Sequence, residues 1–331
     1  MTQPAADIAG RPSPAHHTEG PALPEVKQHL AGPAAPVVGR AVSNERCTAG
    51  RSGKAASFVR HITLDVSGTP LAGQIIPGQS FGVIPPGLDA RALAHKLRLY
   101  SVASPTGGED GSGNIIATTV KRTIDEHNET GKLFLGVASN FLCDLKPGDP
   151  VTLTGPSGKR FLLPVRPGDH DYVFIATGTG IAPFRGMIAD LLRAGHASRI
   201  VLILGSAYAT DLIYHEHFLA LQRTHASFRY LTAVSREKQA DGNGPLYVQD
   251  RFTTDAPELV PMFDSPRTLL YMCGIAGMEL GVFQKLATAL APGALAQYLG
   301  VDAQAGAPVE WTRRMIHRQV RPTRRVFIEV Y

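Results

Sequence analysis

Two short segments carry residue types suited to nucleotide chemistry. Thr177-Gly178-Thr179-Gly180-Ile181-Ala182-Pro183 follows an apolar run and precedes a helical pattern. Two glycines let a backbone approach a phosphate closely, and a helix start offers free N–H groups and a positive dipole end. Pro183 suits a first helical turn, where a missing donor costs nothing. The spacing is not GxGxxG, and no acidic residue is placed to hold a ribose 2′-hydroxyl. By itself the turn is equally compatible with a structural strand-to-helix junction. The second segment is Arg98-Leu99-Tyr100-Ser101. On a strand, alternation puts Arg98 and Tyr100 on one face and Leu99 on the other. A guanidinium can donate two parallel hydrogen bonds to a pyrophosphate, Tyr100 offers a flat ring, and Ser101 adds a small hydroxyl. An ordinary strand with one exposed arginine has the same four letters.

The elements that must position these residues change character along the chain. Residues 1–36 are rich in Ala, Pro, Gly and His without periodic apolar positions, and are expected to be a disordered leader. Residues 37–167 show short β-type runs at 57–66, 97–102, 114–121 and 151–154, cut by turns at Pro77-Gly78, Pro85-Pro86-Gly87 and Pro147-Gly148-Asp149. Such spacing predicts an antiparallel β-barrel. Residues 106–113 read as a flexible surface loop. From residue 168 the rhythm becomes strand, helix, strand. Strands are predicted at 172–176, 200–204, 229–234, 269–273 and 326–330, and helices over 183–193 and near 214–223. That alternation implies a parallel sheet in an α/β domain, with ligands at the carboxyl ends of its strands.

The chain has 331 residues, enough for two domains, with 44% hydrophobic and 18% charged residues. A net charge of +5 suits an anionic cofactor or an acidic protein partner. No Lys/Arg run is interleaved with aromatics, which argues against nucleic acid. No apolar stretch reaches membrane-spanning length. Cys47, Cys143 and Cys273 form no CxxC, so no disulfide framework, zinc site or iron–sulfur site is expected, and a reducing bacterial cytoplasm fits best. Acidic residues Asp7, Glu19 and Glu25 disfavour a plastid transit peptide.

These segments are followed by others in a fixed order. They include Gly78-Gln79-Ser80, His95 to Ser101, Val120-Lys121-Arg122, Gly136 to Gly148, Thr154-Gly155-Pro156, Thr177 to Arg185, Ala233 to Glu237, Tyr247-Val248-Gln249, Tyr271 to Gly274, and Glu329-Val330-Tyr331. From residue 37 onward the chain resembles the plant-type ferredoxin–NADP(H) reductase family. The resemblance implies an FAD-binding barrel over 37–167 and an NADP(H)-binding α/β domain over 168–331. Arg98, with Leu99, would hold the FAD pyrophosphate, Tyr100 would lie against the isoalloxazine, and Ser101 would sit near flavin N5. Thr119, Val120 and Lys121 would border the adenosine. Val137, Ala138 and Ser139 would open a short helix facing the pyrophosphate. Thr177 would lie between flavin and nicotinamide nucleotide. Ser235 and Arg236 would match a 2′-phosphate, Tyr247 would stack on the NADP adenine, and Gln249 would bond nearby. Cys273 and Glu329 would border the hydride-transfer pocket, with Ile275 as a further cofactor contact. Tyr331 would cover the flavin face opposite Tyr100. Ser101, Cys273, Glu329 and Tyr331 are thus the catalytic candidates, and the partner would be ferredoxin or flavodoxin.

The pattern also breaks. Where the family carries an aromatic to stack on the FAD adenine stands Asp125, with His127 nearby; Pro245 and Ala276 replace basic residues near the nucleotide. Arg313, Arg314, His317, Arg318, Arg321, Arg324 and Arg325 form a basic segment, read either as a solvated helix face or as a docking patch for an acidic iron–sulfur protein. Alternative readings are the reductase component of a multicomponent oxygenase and a nucleotide-binding subunit without turnover.

Overall fold

The computed structural model describes residues 20–49, 58–89, 91–127 and 129–331. The first unit is antiparallel. Strands β1 (Val37–Arg46), β2 (Val59–Asp65), β3 (Ser80–Ile84), β4 (Arg98–Ser101), β5 (Ile115–Lys121) and, after the hairpin β6 (Ile124–Glu126) and β7 (Leu133–Leu135) and the helix α1 (Val137–Asp144), β8 (Pro150–Ser157) make one sheet in the order β4-β3-β8-β1-β2-β5. Its outer strands meet beyond β4: Val102 bridges Thr118, and the Ala103 N–H donates to Ala117 O at 2.8 Å. The sheet thereby closes into a barrel and loses its edges. Ile62, Leu64, Phe81, Val83, Leu153 and Val120 fill it. Cys143 packs into the same core, as expected of a buried free thiol.

Residues 20–36 depart from the leader expectation. Ala31 bridges Gly155 and is buried, the His29 N–H donates to Pro156 O at 2.8 Å, and Gln79 Nε2 donates to Lys27 O at 3.1 Å. This stretch lacks apolar periodicity because it forms no regular element; its order comes from docking on the barrel. Residues 1–19 lie outside the described residues.

The second unit is a five-stranded parallel sheet. Its strands are β9 (Asp171–Thr177), β10 (Ile200–Ser206), β11 (Phe228–Val234), β12 (Thr268–Gly274) and, after the short pair β13 (Leu299–Val301) and β14 (Val320–Pro322), β15 (Val326–Val330), in the order β11-β10-β9-β12-β15. The helices between them are α2 (Ile181–Arg193), α3 (His215–Thr224), α4 (Arg251–Thr254), α5 (Ala256–Asp264), α6 (Met278–Ala289) and the single turn α7 (Pro292–Leu295). Burial on both faces makes the central strands continuously apolar. Alternation then sorts them. Val173, Ile175, Leu270 and Met272 join Leu259, Val282 and Phe283 from α5 and α6. Tyr172, Phe174, Tyr271 and Cys273 pack with Phe184 and Met187 of α2 on the opposite side. No helix among the described residues is long and apolar enough to cross a membrane.

Residues 106–113 are not a free loop. Glu109 accepts from Arg185 on α2 at 2.5 Å, the Thr106 N–H and hydroxyl both reach Asp190, and Gly113 N–H donates to Gly107 O at 2.7 Å. The glycines and acids that suggest flexibility instead shape a turn that ion-pairs with the second unit. A buried node lies beside it. Tyr214, in a left-handed conformation (φ 57°), places its hydroxyl 2.8 Å from His61 Nδ1 and 2.6 Å from Thr119 Oγ1, with the Arg185 guanidinium over its ring. Burial, the largest cause, and Arg185 push His61 down to about 4, so the node is neutral at the imidazole near pH 7. The basic segment near residue 313 is also not a helix face: it forms one 3-10 turn at Arg313–Met315 and β14. Arg313 pairs with Glu279 at 2.9 Å and Arg321 with Asp302 at 2.7 Å.

Candidate active site

The barrel carries a cleft of about 420 Å³ bordered by Arg98, Leu99, Tyr100, Phe134, Val137, Ala138 and Ser139. β4 presents Arg98 exposed, with Nη1 donating only to Leu97 O at 3.1 Å and no acidic partner among the described residues. A guanidinium left unpaired beside a helix start is arranged for an anion. α1 begins at Gly136 without a side-chain cap. Ser139 cannot supply one: its hydroxyl accepts from Thr123 N–H and donates to Gly136 O, both at 3.1 Å. The backbone N–H groups of Val137, Ala138 and Ser139 are therefore the donors left for a ligand. Gly136 is needed here, since a Cβ would stand 2.7 Å from Ser139 Oγ. Burial pushes the Tyr100 hydroxyl up to about 12, so its ring is neutral at working pH.

β5 contributes less than expected. Thr119 turns its hydroxyl to Tyr214, and Val120 lies in the barrel core. Neither side chain lines the cleft, because alternation sends one to the inter-unit node and the other inward; only their backbone remains for a nucleotide. Lys121 is exposed at the strand end.

The second group sits at the carboxyl ends of β9, β12 and β15. Parallel register sets Cys273 beside both Ala176 and Glu329. The Gly-rich turn folds as a 3-10 turn over Gly178–Gly180 and runs directly into α2. Gly180 has no alternative, because a Cβ would come within 2.1 Å of Cys273 O. Thr177 Oγ1 accepts from Ile275 N–H at 2.8 Å and donates to Met278 Sδ at 3.3 Å. Tyr331 is held by two backbone bonds of 3.0 Å, from its N–H to Gly274 O and from Ala276 N–H to its own O. Its hydroxyl shares a 2.7 Å hydrogen bond with Thr179 Oγ1, while the residue stays 62% exposed and is not a core ring. Cys273 is fully enclosed, and burial first, Glu329 second, push its thiol far above the ordinary range. A thiol so raised is not a thiolate nucleophile. Glu329 has Oε2 buried without a hydrogen-bond partner among the described residues, and burial raises its carboxyl. Such a group can carry a proton that an ordinary surface carboxylate would have lost. Ser101 remains on the barrel, paired with Ser80, its carbonyl accepting from the Thr118 hydroxyl at 2.8 Å.

The third group follows β11. Ser235 and Arg236 leave the sheet with their N–H groups bound to Ser206 O and Ala207 O, both at 3.0 Å. Arg236 lies 5.9 Å over the Tyr208 ring. Leu246 N–H donates to Val234 O at 2.9 Å, which brings the exposed Tyr247 beside Ser235, and Gln249 lies against Gly281 of α6. Two residues outside every sequence motif build this loop. Gln239 is buried and clamps Val234 through both amide atoms, at 2.9 and 2.6 Å. Arg251, also buried, donates to Thr232 O and pairs with Asp241 at 2.7 Å and Asp255 at 3.0 Å. A buried charge persists only when paired in this way. Only its Asp255 partner, four residues on, was visible as a helical i,i+4 pair.

The arrangement has relatives. Residues 174–283 match the oxidoreductase NAD-binding domain. The ferredoxin–NADP reductase of Spirulina sp is 36% identical over 271 residues, covering 80% of this chain and 90% of that protein. That of Thermosynechococcus vestitus is 35% identical, covering 88% and 74%. Among solved structures, the ferredoxin–NADP+ reductase of Plasmodium falciparum superposes with a TM-score of 0.66 at 22% identity, over 91% of this chain and 98% of that one, and so shares the fold. An unpaired arginine at a barrel cleft, a Gly-rich turn and Tyr331 at the ends of a parallel sheet, and identity of this extent lead to one assignment: the chain belongs to the ferredoxin–NADP reductase family.

Proposed function

We propose that this protein is an FAD-containing reductase that moves hydride between NADP(H) and its flavin and single electrons between flavin and ferredoxin. The observation that carries this reading is the group at the carboxyl ends of β9, β12 and β15, where Cys273 and Glu329 lie on the α2 side of the sheet, Thr177 on the α6 side, and Tyr331 closes the end through Gly274 and Thr179. The residues fit a flavin dinucleotide: Arg98 is an unpaired cation, α1 offers uncapped donors, and Tyr100 supplies a neutral ring. Bound there, FAD would supply the two-electron to one-electron conversion that no side chain can perform. Arg98 with the Val137 and Ala138 N–H groups would hold its pyrophosphate, and Tyr100 and Tyr331 would bracket its ring.

On the nicotinamide side, Thr177 fixes the Ile275 backbone, Cys273 closes the pocket wall, and Glu329 would set beside the reacting ring a carboxyl whose proton affinity burial raises. Ser101 offers a hydroxyl from the barrel. Ser235 and Arg236 would take the 2′-phosphate, with Tyr247 on the adenine and Gln249 beside it, which selects NADP over NAD. Ferredoxin is the carrier, flavodoxin a second substrate of the same site, and a bacterial cytoplasm the setting.

The test is the absorbance spectrum of the purified protein together with NADPH-driven cytochrome c reduction, with and without ferredoxin. A flavin spectrum and ferredoxin-stimulated reduction are expected. No bound flavin overturns the reading, and equal efficiency with NADH overturns the nucleotide preference.

A further inference from the structure

We propose that Phe134 supplies the aromatic surface on which the FAD adenine lies, a role moved from β6 to β7 across the hairpin. The inference rests on the FAD reading above. β6 carries Asp125 where an aromatic would be expected, and β6 and β7 pair with Asp125 directly opposite Phe134. Directly opposed residues in an antiparallel pair project to one face with adjacent Cβ atoms. An aromatic at 134 therefore presents its ring over nearly the same ground as one at 125.

Position along the ligand path agrees. The cleft that holds Arg98, Tyr100 and the start of α1 has Phe134 as one wall. A second, more open cleft of about 490 Å³ adjoins it, bordered by Asp125, Glu126, His127 and Glu129, and Phe134 is the wall the two share. A dinucleotide with its ring at Tyr100 and its pyrophosphate at Arg98 and α1 must send its adenosine onward past Phe134. The second cleft is acidic, which excludes further phosphate. It suits the adenine edge, whose exocyclic amine is a donor. Phe134 is 60% exposed, so its face is available to a base. Stacking on an aromatic needs no other base-specific partner.

The test compares two flavins on the full-length protein. Wild type, Phe134→Ala and Phe134→Trp are stripped of flavin and titrated with FAD and, separately, FMN, following flavin fluorescence. FMN has the ring and one phosphate but no adenine. Phe134→Ala should weaken FAD binding roughly tenfold and leave FMN within twofold, and Phe134→Trp should keep the wild-type FAD value. Adding Asp125→Tyr to Phe134→Ala should restore FAD binding, because the ring returns to the same face. Unchanged FAD affinity in Phe134→Ala overturns the inference alone. So does equal loss of FAD and FMN, which would place Phe134 in the fold or against the flavin ring. A wild-type chain that takes up neither flavin overturns the FAD reading itself.

Discussion

The strand-end pocket and the adenine-side loops are built by different means. Cys273, Glu329 and Thr177 are fixed by the register of three adjacent parallel strands, and the Thr177 hydroxyl accepts from the Ile275 N–H at 2.8 Å. The β6–β7 hairpin and the loop after β11 project away from the sheets, with Phe134 and Tyr247 more than half exposed. Hydride transfer needs tight placement, and buried register supplies it. Recognition of a flat base needs only a face in reach, which either strand of a hairpin can provide. Residue identity is therefore constrained in the pocket and exchangeable at the adenine ends.

That contrast can be broken from the inside outward. Gly180→Ala should cause the largest effect, about 3 kcal/mol of destabilisation from overpacking against Cys273 O, read as a lower urea midpoint; an unchanged midpoint would show that the pocket yields as easily as the loops. Tyr331→Ser should come next. With the lid gone, NADP⁺ should bind more tightly and turnover fall roughly a hundredfold, because the ring no longer sets the docking geometry. Equal NADP⁺ affinity and turnover in wild type and variant would remove the lid. Arg236→Ala belongs to the outer region and should raise the KM for NADPH about tenfold, the cost of one charge-assisted hydrogen bond, with NADH unaffected. A matching loss for NADH would mean that Arg236 organises the loop and does not read the phosphate.

The smallest effect concerns pH. Burial raises the Glu329 carboxyl, so the folded state holds this proton more tightly than the unfolded chain. Its stability contribution is intact below the unfolded carboxyl value and is lost as pH rises through the folded one. Glu329→Gln should then gain stability relative to wild type across that rise and match it at lower pH. Parallel melting curves at all pH values would show that the carboxyl is solvated in solution.

Much of this was legible before any coordinates. The apolar runs of β9, β10 and β12 read correctly because both faces are covered, and the short runs cut by Gly and Pro turns marked the barrel. The ordered motifs named Arg98, Thr177, Cys273 and Tyr331, which folding sets at the barrel cleft and at the ends of β9, β12 and β15. Other features escaped because their cause is tertiary. Residues 20–36 carry no periodicity yet dock through backbone bonds. Thr119 belongs to a strand face that the partner unit covers. Gln239 and Arg251 gain their meaning from carbonyls brought beside them by folding. Phe134 was invisible because a motif is read along one strand, whereas the hairpin couples residues across two.

Tyr214 has a consequence for how fast the enzyme can work. With its hydroxyl shared between His61 and Thr119 of the barrel, and Arg185 tying α2 to Glu109 and to Ala103 O at 3.0 Å, the two halves have little play. On the proposed reading of Tyr331, room for the nicotinamide would come from that one side chain swinging aside. Exposed side chains reorient in picoseconds to nanoseconds, whereas domain motions take microseconds to milliseconds. A side-chain gate of that kind, if Tyr331 acts as proposed, would open far faster than a domain movement, so traffic through it would set no ceiling on the rate.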